Sequence, residues 1–521
     1  MNLEILTSNQ KITVFIGMAI YMIAMISIGL YYAKKNKSSE DFFLGGRTLG
    51  PWVAAMSAEA SDMSSWLLMG LPGLAYVSGY ANAGWTAIGL AVGTYLNWKI
   101  VSRRLRSYTI IADNAITIPD FFSNRFHDKK KILMSISAII IFVFFTIYTS
   151  SGFVACGKLF VSLFDYDYTK MMLLSALVVV LYTAVGGFLA ESMTDFVQGL
   201  LMFFALIAVM IVGTAEAGGI GKITEIIGNM DGFTSLLSAH DRATGEAVNL
   251  GFIDILSTLA WGLGYFGMPH ILLRFMALKD PKEMKKSRVI ACTWCFISLA
   301  VAVLIGVIGV AAVPNLLEGA KNAKEITSNS ETIFIVMTQI FGKKALPLTI
   351  LAGIILSAIL AATMSTSDSQ LLVTSSAIAQ NFYKGVIKKD ATDEQILFVS
   401  RITIVIVTIF GAILALDPDS SVFDMVSNAW AGFGAAFGPL VLFSLFWKRT
   451  TLQGAVAGMI GGGGMVLIWK YWLSNLGGIF KIYELLPAFI FSAILIVVVS
   501  LCTKAPDESI IEEFERAKEL A

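Results

Sequence analysis

The chain has 521 residues, of which 56% are apolar and 14% charged, with 38 Lys and Arg against 37 Asp and Glu. Soluble domains carry about 25% charged residues, and a mean hydropathy of +0.75 leaves too little polar surface for a water-exposed exterior. These values exclude a string of soluble domains, and the near-neutral balance gives no sign of a nucleic-acid partner, so the chain reads as an all-α polytopic membrane protein.

A membrane-crossing helix needs about 20 apolar residues. Thirteen such spans are expected in chain order, near 12–33, 51–77, 82–101, 132–162, 170–188, 192–216, 248–273, 288–313, 345–380, 398–416, 420–447, 452–473 and 483–502. The residues before span 1 lack a basic stretch and a small-residue cleavage site, so span 1 reads as retained rather than as a signal peptide. Lys34, Lys35, Lys37 and Arg47 follow span 1, and Arg103, Arg104, Arg106, Arg125 and Lys129 to Lys131 follow span 3. Lys279, Lys282, Lys285, Lys286 and Arg288 follow span 7, Lys384, Lys388, Lys389 and Arg401 follow span 9, and Lys448 and Arg449 follow span 11. Every strongly basic loop therefore follows an odd-numbered span. The positive-inside rule makes those loops cytoplasmic, the N-terminus outside and the C-terminus inside. Residues 1–503 are expected to form one transmembrane domain, and 504–521 a cytoplasmic tail whose amphipathic stretch near 510–518 reads as solvated or interface-lying.

Span 2 contains Ser57-Ala58-Glu59-Ala60-Ser61-Asp62-Met63-Ser64-Ser65-Trp66. Two acids and four serines in ten residues cannot face lipid. They suit a helix that unwinds inside the membrane and frees carbonyls for a cation, against the alternative of a capped helix end. Span 7 holds Trp261-Gly262-Leu263-Gly264-Tyr265-Phe266-Gly267-Met268-Pro269. Three glycines and a proline make an unbroken helix unfavourable there. Trp261 and Tyr265 are four apart and share a face if that turn is helical, an aromatic wall over a small apolar solute or a cation, against the alternative of a kinked packing helix with buried aromatics. The two interrupted segments lie five spans apart, so they enter the membrane from opposite sides. That arrangement points to the central site of a transporter built from inverted repeats.

Span 9 brings Thr363-Met364-Ser365-Thr366-Ser367-Asp368-Ser369-Gln370. This is a surface of hard oxygens suited to Na⁺ or H⁺ rather than to zinc or copper, unless the hydroxyls are spent on their own helix carbonyls. Asp195 opens span 6, either reaching that surface or capping its helix. Gly461 to Gly464 in span 12 reads as close helix packing. Cys292 and Cys295, like Cys156 and Cys502, lie in apolar runs and imply no disulfide framework. Neither a nucleotide-binding loop nor a catalytic metal motif is present, so neither an ATPase subunit nor an enzymatic reaction is expected.

The string Ser61-Asp62-Met63-Ser64-Ser65-Trp66-Leu67-Leu68-Met69-Gly70-Leu71-Pro72-Gly73 resembles the sodium/solute symporter family, and its proline-carrying branch in particular. Matching stretches at 43–47, 145–148, 261–270, 357–366 and 429–434 extend the likeness over almost the whole chain. The resemblance implies a leucine-transporter-like fold with five-plus-five inverted repeats in spans 2–11 and extra spans 1, 12 and 13. It implies Na⁺-driven uptake of L-proline across the cell membrane, another small solute or a membrane sensor on the same fold being the alternatives. Residue by residue, it places Na⁺ among the carbonyls of Ala60, Met63 and Ala362 and the hydroxyls of Ser365 and Thr366. It ties Asp62 and Arg47 to coupling, and Ser64, Ser65, Tyr148, Trp261, Tyr265 and Pro269 to the solute. Asp195, Asp368 and Ser369 resemble a second cation site found in some relatives. Glu59, Ser65 and Met268 depart from the family pattern, Glu59 offering an extra proton or cation site and Met268 a changed pocket polarity.

Overall fold

The computed structural model describes residues 6–34, 38–242 and 244–520. Lys35 and Lys37 of the first basic loop and Ala521 of the tail lie outside them. Among the described residues, nine helices are long and apolar enough to cross a membrane. One of these, Tyr168–Glu216, carries both span 5 and span 6, interrupted only at Gly187, whose φ of 72° turns the chain. That backbone region is open to glycine without the steric cost other residues meet. Spans 2, 3 and 7 are helical but not among the nine. Span 3 runs through Tyr80–Leu96 and a wider turn at Asn97–Val101, while spans 2 and 7 are both broken.

Most of these helices are apolar all round, so hydrophobicity alone does not select the buried face. In Ser8–Ala33, Val14, Gly17, Met18, Tyr21 and Met25 are buried at helical spacing, yet Ile12, Phe15, Ile16 and Ile20 on the exposed side are equally apolar. Small residues on the buried face mark where the helices approach most closely. A Cβ on Gly17 would come 3.1 Å from the Gly353 Cα of span 9. Span 3 meets span 7 the same way, with a Cβ on Gly93 reaching 2.5 Å from the Gly262 Cα. The glycine run of span 12 serves the packing expected of it, since Gly462 faces Ala435 of span 11 and Ser492 of span 13.

Two segments outside the spans are partly folded. Residues 217–247 include the helix Ile220–Gly228 and a strand, Ser238–His240, paired antiparallel with Ala247–Asn249. Residues 314–344 carry the helices Ala323–Ser330 and Ile333–Gly342. All four cysteines are free thiols, only Cys502 being exposed.

The tail helix Glu508–Glu519 turns its apolar face to protein, while Glu512, Arg516 and Lys518 stay exposed. Its apolar residues Ile510, Phe514 and Ala517 are buried where it packs on the helix Ser102–Ile111. The Phe514 ring lies beneath the Arg104 and Arg125 guanidinium groups at 5.3 and 5.2 Å, and Glu513 and Glu515 pair with His127 and Lys448. The amphipathic period was legible, but its apolar face has a protein partner that the sequence does not reveal.

Candidate functional site

Span 2 begins as a helix at Pro51 and loses helical geometry at Ser64, where φ is 48° and ψ is −173°. The chain re-enters a wide turn at Trp66–Gly70 before the helix Leu71–Ser78. A serine in this backbone region is uncommon, and the Ser64 hydroxyl accepts the Trp66 N–H at 3.1 Å. Span 7 breaks too: Phe252–Leu259 is α-helical, Ala260–Gly267 is 3₁₀, Met268 is extended, and Pro269 opens the helix Pro269–Ala277. The interruptions anticipated from serine, acid, glycine and proline are both present.

The unwound part of span 2 lies against span 9. The Ser365 hydroxyl donates to the Ala60 carbonyl at 2.9 Å and lies 3.3 Å from the Ala362 carbonyl. One residue further on, the Thr366 hydroxyl is buried without a hydrogen-bond partner. Three of the five expected Na⁺ ligands, Ala60, Ala362 and Ser365, thus meet in one contact between spans 2 and 9, and all are the hard oxygens such a cation takes. The Met63 carbonyl, just before the break, accepts the Trp66 N–H from beyond it.

The solute candidates gather on the other side of Asp62. Tyr265 donates to Asp62 Oδ2 at 2.6 Å and Tyr148 to the Asp62 carbonyl at 3.0 Å. Asp62 Oδ1, the Ser65 hydroxyl and the Trp66 indole N–H are buried without partners, so polar groups of both kinds remain available at the break. Trp261 and Tyr265 do not form one wall. A 3₁₀ turn has three residues rather than 3.6, which rotates positions four apart by roughly 120°. The Trp261 ring joins a stack with Trp66, Phe423 and Tyr483 at 5.2–5.4 Å, while Tyr265 turns to Asp62 and meets Trp430 edge-on at 5.1 Å. Trp430 links the two, donating its indole N–H to the Trp261 carbonyl at 2.7 Å. His270, beside Pro269, is fully buried with its ring against Phe145 and Tyr148.

The second group is divided. Arg274, fully buried at the end of span 7, hydrogen-bonds Ser369 at 2.6 Å, Ser61 at 3.0 Å, Ser57 at 3.1 Å and Asp195 at 3.2 Å. It also pairs with Glu191, which in turn accepts from Ser369. Asp195 and Ser369 are therefore brought together around a guanidinium. Asp368 accepts instead from Thr183 of span 5, and with Glu191 it lines a cavity of about 10 Å³ at the Gly187 kink, room for one water-sized particle.

Two residues singled out in the sequence lie elsewhere. Arg47 is not beside Asp62; it donates to the Met276 and Ala115 carbonyls, both at 2.7 Å, and to Thr109 and Asn114. Burial, with Arg106 nearby, lowers its pKa to about 10, so it keeps its charge at neutral pH. Glu59 faces span 3, accepting from Trp98 at 3.2 Å and Thr94 at 3.3 Å. Sequence reasoning passed over Arg274, Glu191 and a further buried pair, Lys158 with Glu331 at 2.6 Å. Glu331 also accepts the Val422 and Phe423 N–H groups, satisfying donors at the start of the span-11 helix. The missed signal was available for Lys158, an ionisable residue inside span 4, and for Arg274 at the edge of span 7.

A model of the sodium:solute symporter family matches residues 42–462. The chain is 45% identical to an osmoregulated proline transporter of Bacillus subtilis (strain 168), over 95% of this chain and 96% of that one. It is also 45% identical to a sodium/proline symporter of Escherichia coli (strain K12), over 96% and 95%. Among solved structures it is similar to a Na⁺-coupled sialic acid symporter in a substrate-bound outward-open state, with a TM-score of 0.75 at 20% identity over 95% and 99% of the two chains. A second likeness is to MhsT in complex with L-phenylalanine, with a TM-score of 0.51 at 14% identity over 87% and 97%. The fold is leucine-transporter-like.

Proposed function

The chain belongs to the sodium:solute symporter family, and we propose that it takes up L-proline together with Na⁺ by alternating access. It is a multi-pass membrane transporter and not an enzyme. The observation that carries the reading is the seat of Ser365 between the Ala60 and Ala362 carbonyls, beside the Ser64 break. An ion held there touches spans 2 and 9 at once, so it favours the arrangement in which those spans meet. The same arrangement sets Asp62, Tyr148 and Tyr265 for the solute. Linkage then requires each ligand to raise the other's affinity by the same factor.

Proline brings a carboxylate, a secondary ammonium and an apolar ring. Amide and hydroxyl donors at the break, with Ser64, Ser65 and Trp66, suit the carboxylate. Asp62 and free carbonyls suit the ammonium, and Trp261 or Tyr265 covers the ring. Inward movement of one positive charge down about 100 mV contributes roughly 2.3 kcal/mol to accumulation. Thirteen crossings, with the N-terminus outside and the tail in the cytoplasm, complete the arrangement in the cell membrane. Residues 1–503 act as one transmembrane unit, with 504–521 as its tail. Arg47 serves coupling from a distance, through its bonds to Met276, Ala115 and Thr109. In the second group the Arg274 guanidinium supplies positive charge between Asp195 and Ser369, and a cation at Asp368 would use the cavity it shares with Glu191.

Uptake of labelled proline into liposomes containing the purified protein tests this. Accumulation under an inward Na⁺ gradient, and not under K⁺ or a proton gradient alone, is expected. Folded protein that accumulates no proline under any gradient would assign the site to another solute.

A further inference from the structure

Where span 3 gives way to its basic loop, the structure encloses a cavity of about 480 Å³ whose thirteen lining residues include seven Lys or Arg and no Asp or Glu. Lys99 comes from the end of span 3 and Arg103 from just beyond it, Lys282 and Lys285 from the loop before span 8, and Arg288 from its start. None of these five makes an ion pair among the described residues, although the tail, with five glutamates in its helix, packs close by. Gathering uncompensated like charges is unfavourable unless an anion neutralises them.

Immediately towards the membrane, the exposed Tyr95 ring lies 5.4 Å from the Lys99 ammonium and 6.0 Å from the Arg288 guanidinium. Beyond it Val92, Leu96, Val289 and Phe296 form an exposed apolar surface on spans 3 and 8, which pack side by side. A basic hollow, an aromatic ring at its rim and an apolar face above reproduce, in order, a phosphate headgroup, the interface and acyl chains. We propose that this cavity is a binding site for the headgroup of an anionic phospholipid, its chains lying along spans 3 and 8. Its placement in the cytoplasmic leaflet rests on the membrane orientation given above. The inner wall is Trp98, which donates to Glu59 of span 2, so the bound lipid sits one side chain away from the broken helix.

The test is native mass spectrometry of the whole protein in mild detergent, without Na⁺ or proline, titrated with phosphatidylglycerol or phosphatidylcholine of the same chains. Because no transport is measured, failure here is distinct from failure of the symport reading. Phosphatidylglycerol should be retained in preference. The combined variant K99Q/K285Q/R288Q should bind it about 100-fold more weakly, and Lys285→Gln or Arg288→Gln alone about fivefold. The variant K384Q/K388Q/K389Q, in a different basic loop, should bind as the parent does. Melting temperature and monodispersity identify variants that fold, and the single substitutions carry the test if the combined one does not. Equal retention of the two lipids, equal loss in both basic loops, or unchanged binding in the folded cavity variants would overturn the proposal. Displacement of the lipid by an equal concentration of glycerol 3-phosphate would also overturn it, reassigning the cavity to a free phosphate.

Discussion

Arg274 offers the sharpest perturbation. Its guanidinium is fully buried between two acids and three serines, and its Nη1 also donates to the His270 carbonyl at 3.0 Å. Arg274→Met keeps much of the side-chain volume but leaves Glu191 and Asp195 facing each other without a counter-charge. Breaking a buried ion pair from one side costs about 3–5 kcal/mol, most of it the burial of the charge left behind. The variant should unfold earlier by that amount in detergent micelles. The triple variant R274M/E191Q/D195N removes the stranded charges and should recover most of the loss, a coupling that a mutant cycle isolates. Glu191 Oε2, Asp195 Oδ1 and Asp368 Oδ2 already lack partners, so Na⁺ should restore stability to Arg274→Met beyond its effect on the parent. That gain reaches about 2.7 kcal/mol at a concentration 100 times its Kd. An Arg274→Met protein as stable as the parent, or a triple variant no better than the single one, would refute the reasoning.

Other substitutions probe the remaining parts. Ser365→Ala removes the hydroxyl between Ala60 and Ala362 and should raise the Na⁺ concentration for half-maximal uptake about tenfold, as measured by Na⁺ titration. Tyr265→Phe deletes the 2.6 Å bond to Asp62 Oδ2 and should weaken proline binding about 3- to 10-fold at saturating Na⁺; unchanged affinity would move the solute away from Tyr265. Trp261→Ala opens the aromatic stack and should weaken proline binding while Na⁺ binding, followed by thermal stabilisation, persists. Gly93→Val forces a side chain into the Gly262 backbone and should destabilise by about 1–3 kcal/mol or more, whereas Gly464→Val, with nothing within 4 Å, should be tolerated in the same melting assay.

The sequence was most informative where a local cost had to have a reason. Serines and acids inside an apolar run located the break to within a few residues of Ser64, and glycines with Pro269 located the other. Ser365 and Thr366 stood out for the same reason. What stayed hidden was the partner across the fold. Nothing local joins Arg274 to Glu191, or Lys158 to Glu331 across 173 positions. Helix type was hidden as well: the 3₁₀ winding of Ala260–Gly267 parts Trp261 from Tyr265, and only a backbone trace reveals it. Arg47 illustrates a further limit, for its charge was conspicuous while its four bonds run to the carbonyls of Met276 and Ala115 and to the side chains of Thr109 and Asn114, which carry no signal of their own.

The segments that carry the site, 51–78 and 252–277, are not among the nine helices apolar enough to span a membrane alone. During synthesis this sets an order of events. A single acid at a helix centre disfavours insertion by about 2.5–3.5 kcal/mol, and span 2 brings two. Glu59 meets its partners Thr94 and Trp98 as soon as span 3 has emerged, 35 and 39 residues later. Asp62 waits 203 residues for Tyr265, and the Ala60 carbonyl waits 305 for Ser365. A nascent chain that has not yet made span 7 therefore lacks Tyr265 for Asp62, and the two contacts that define the site are complete only once span 9 has been made.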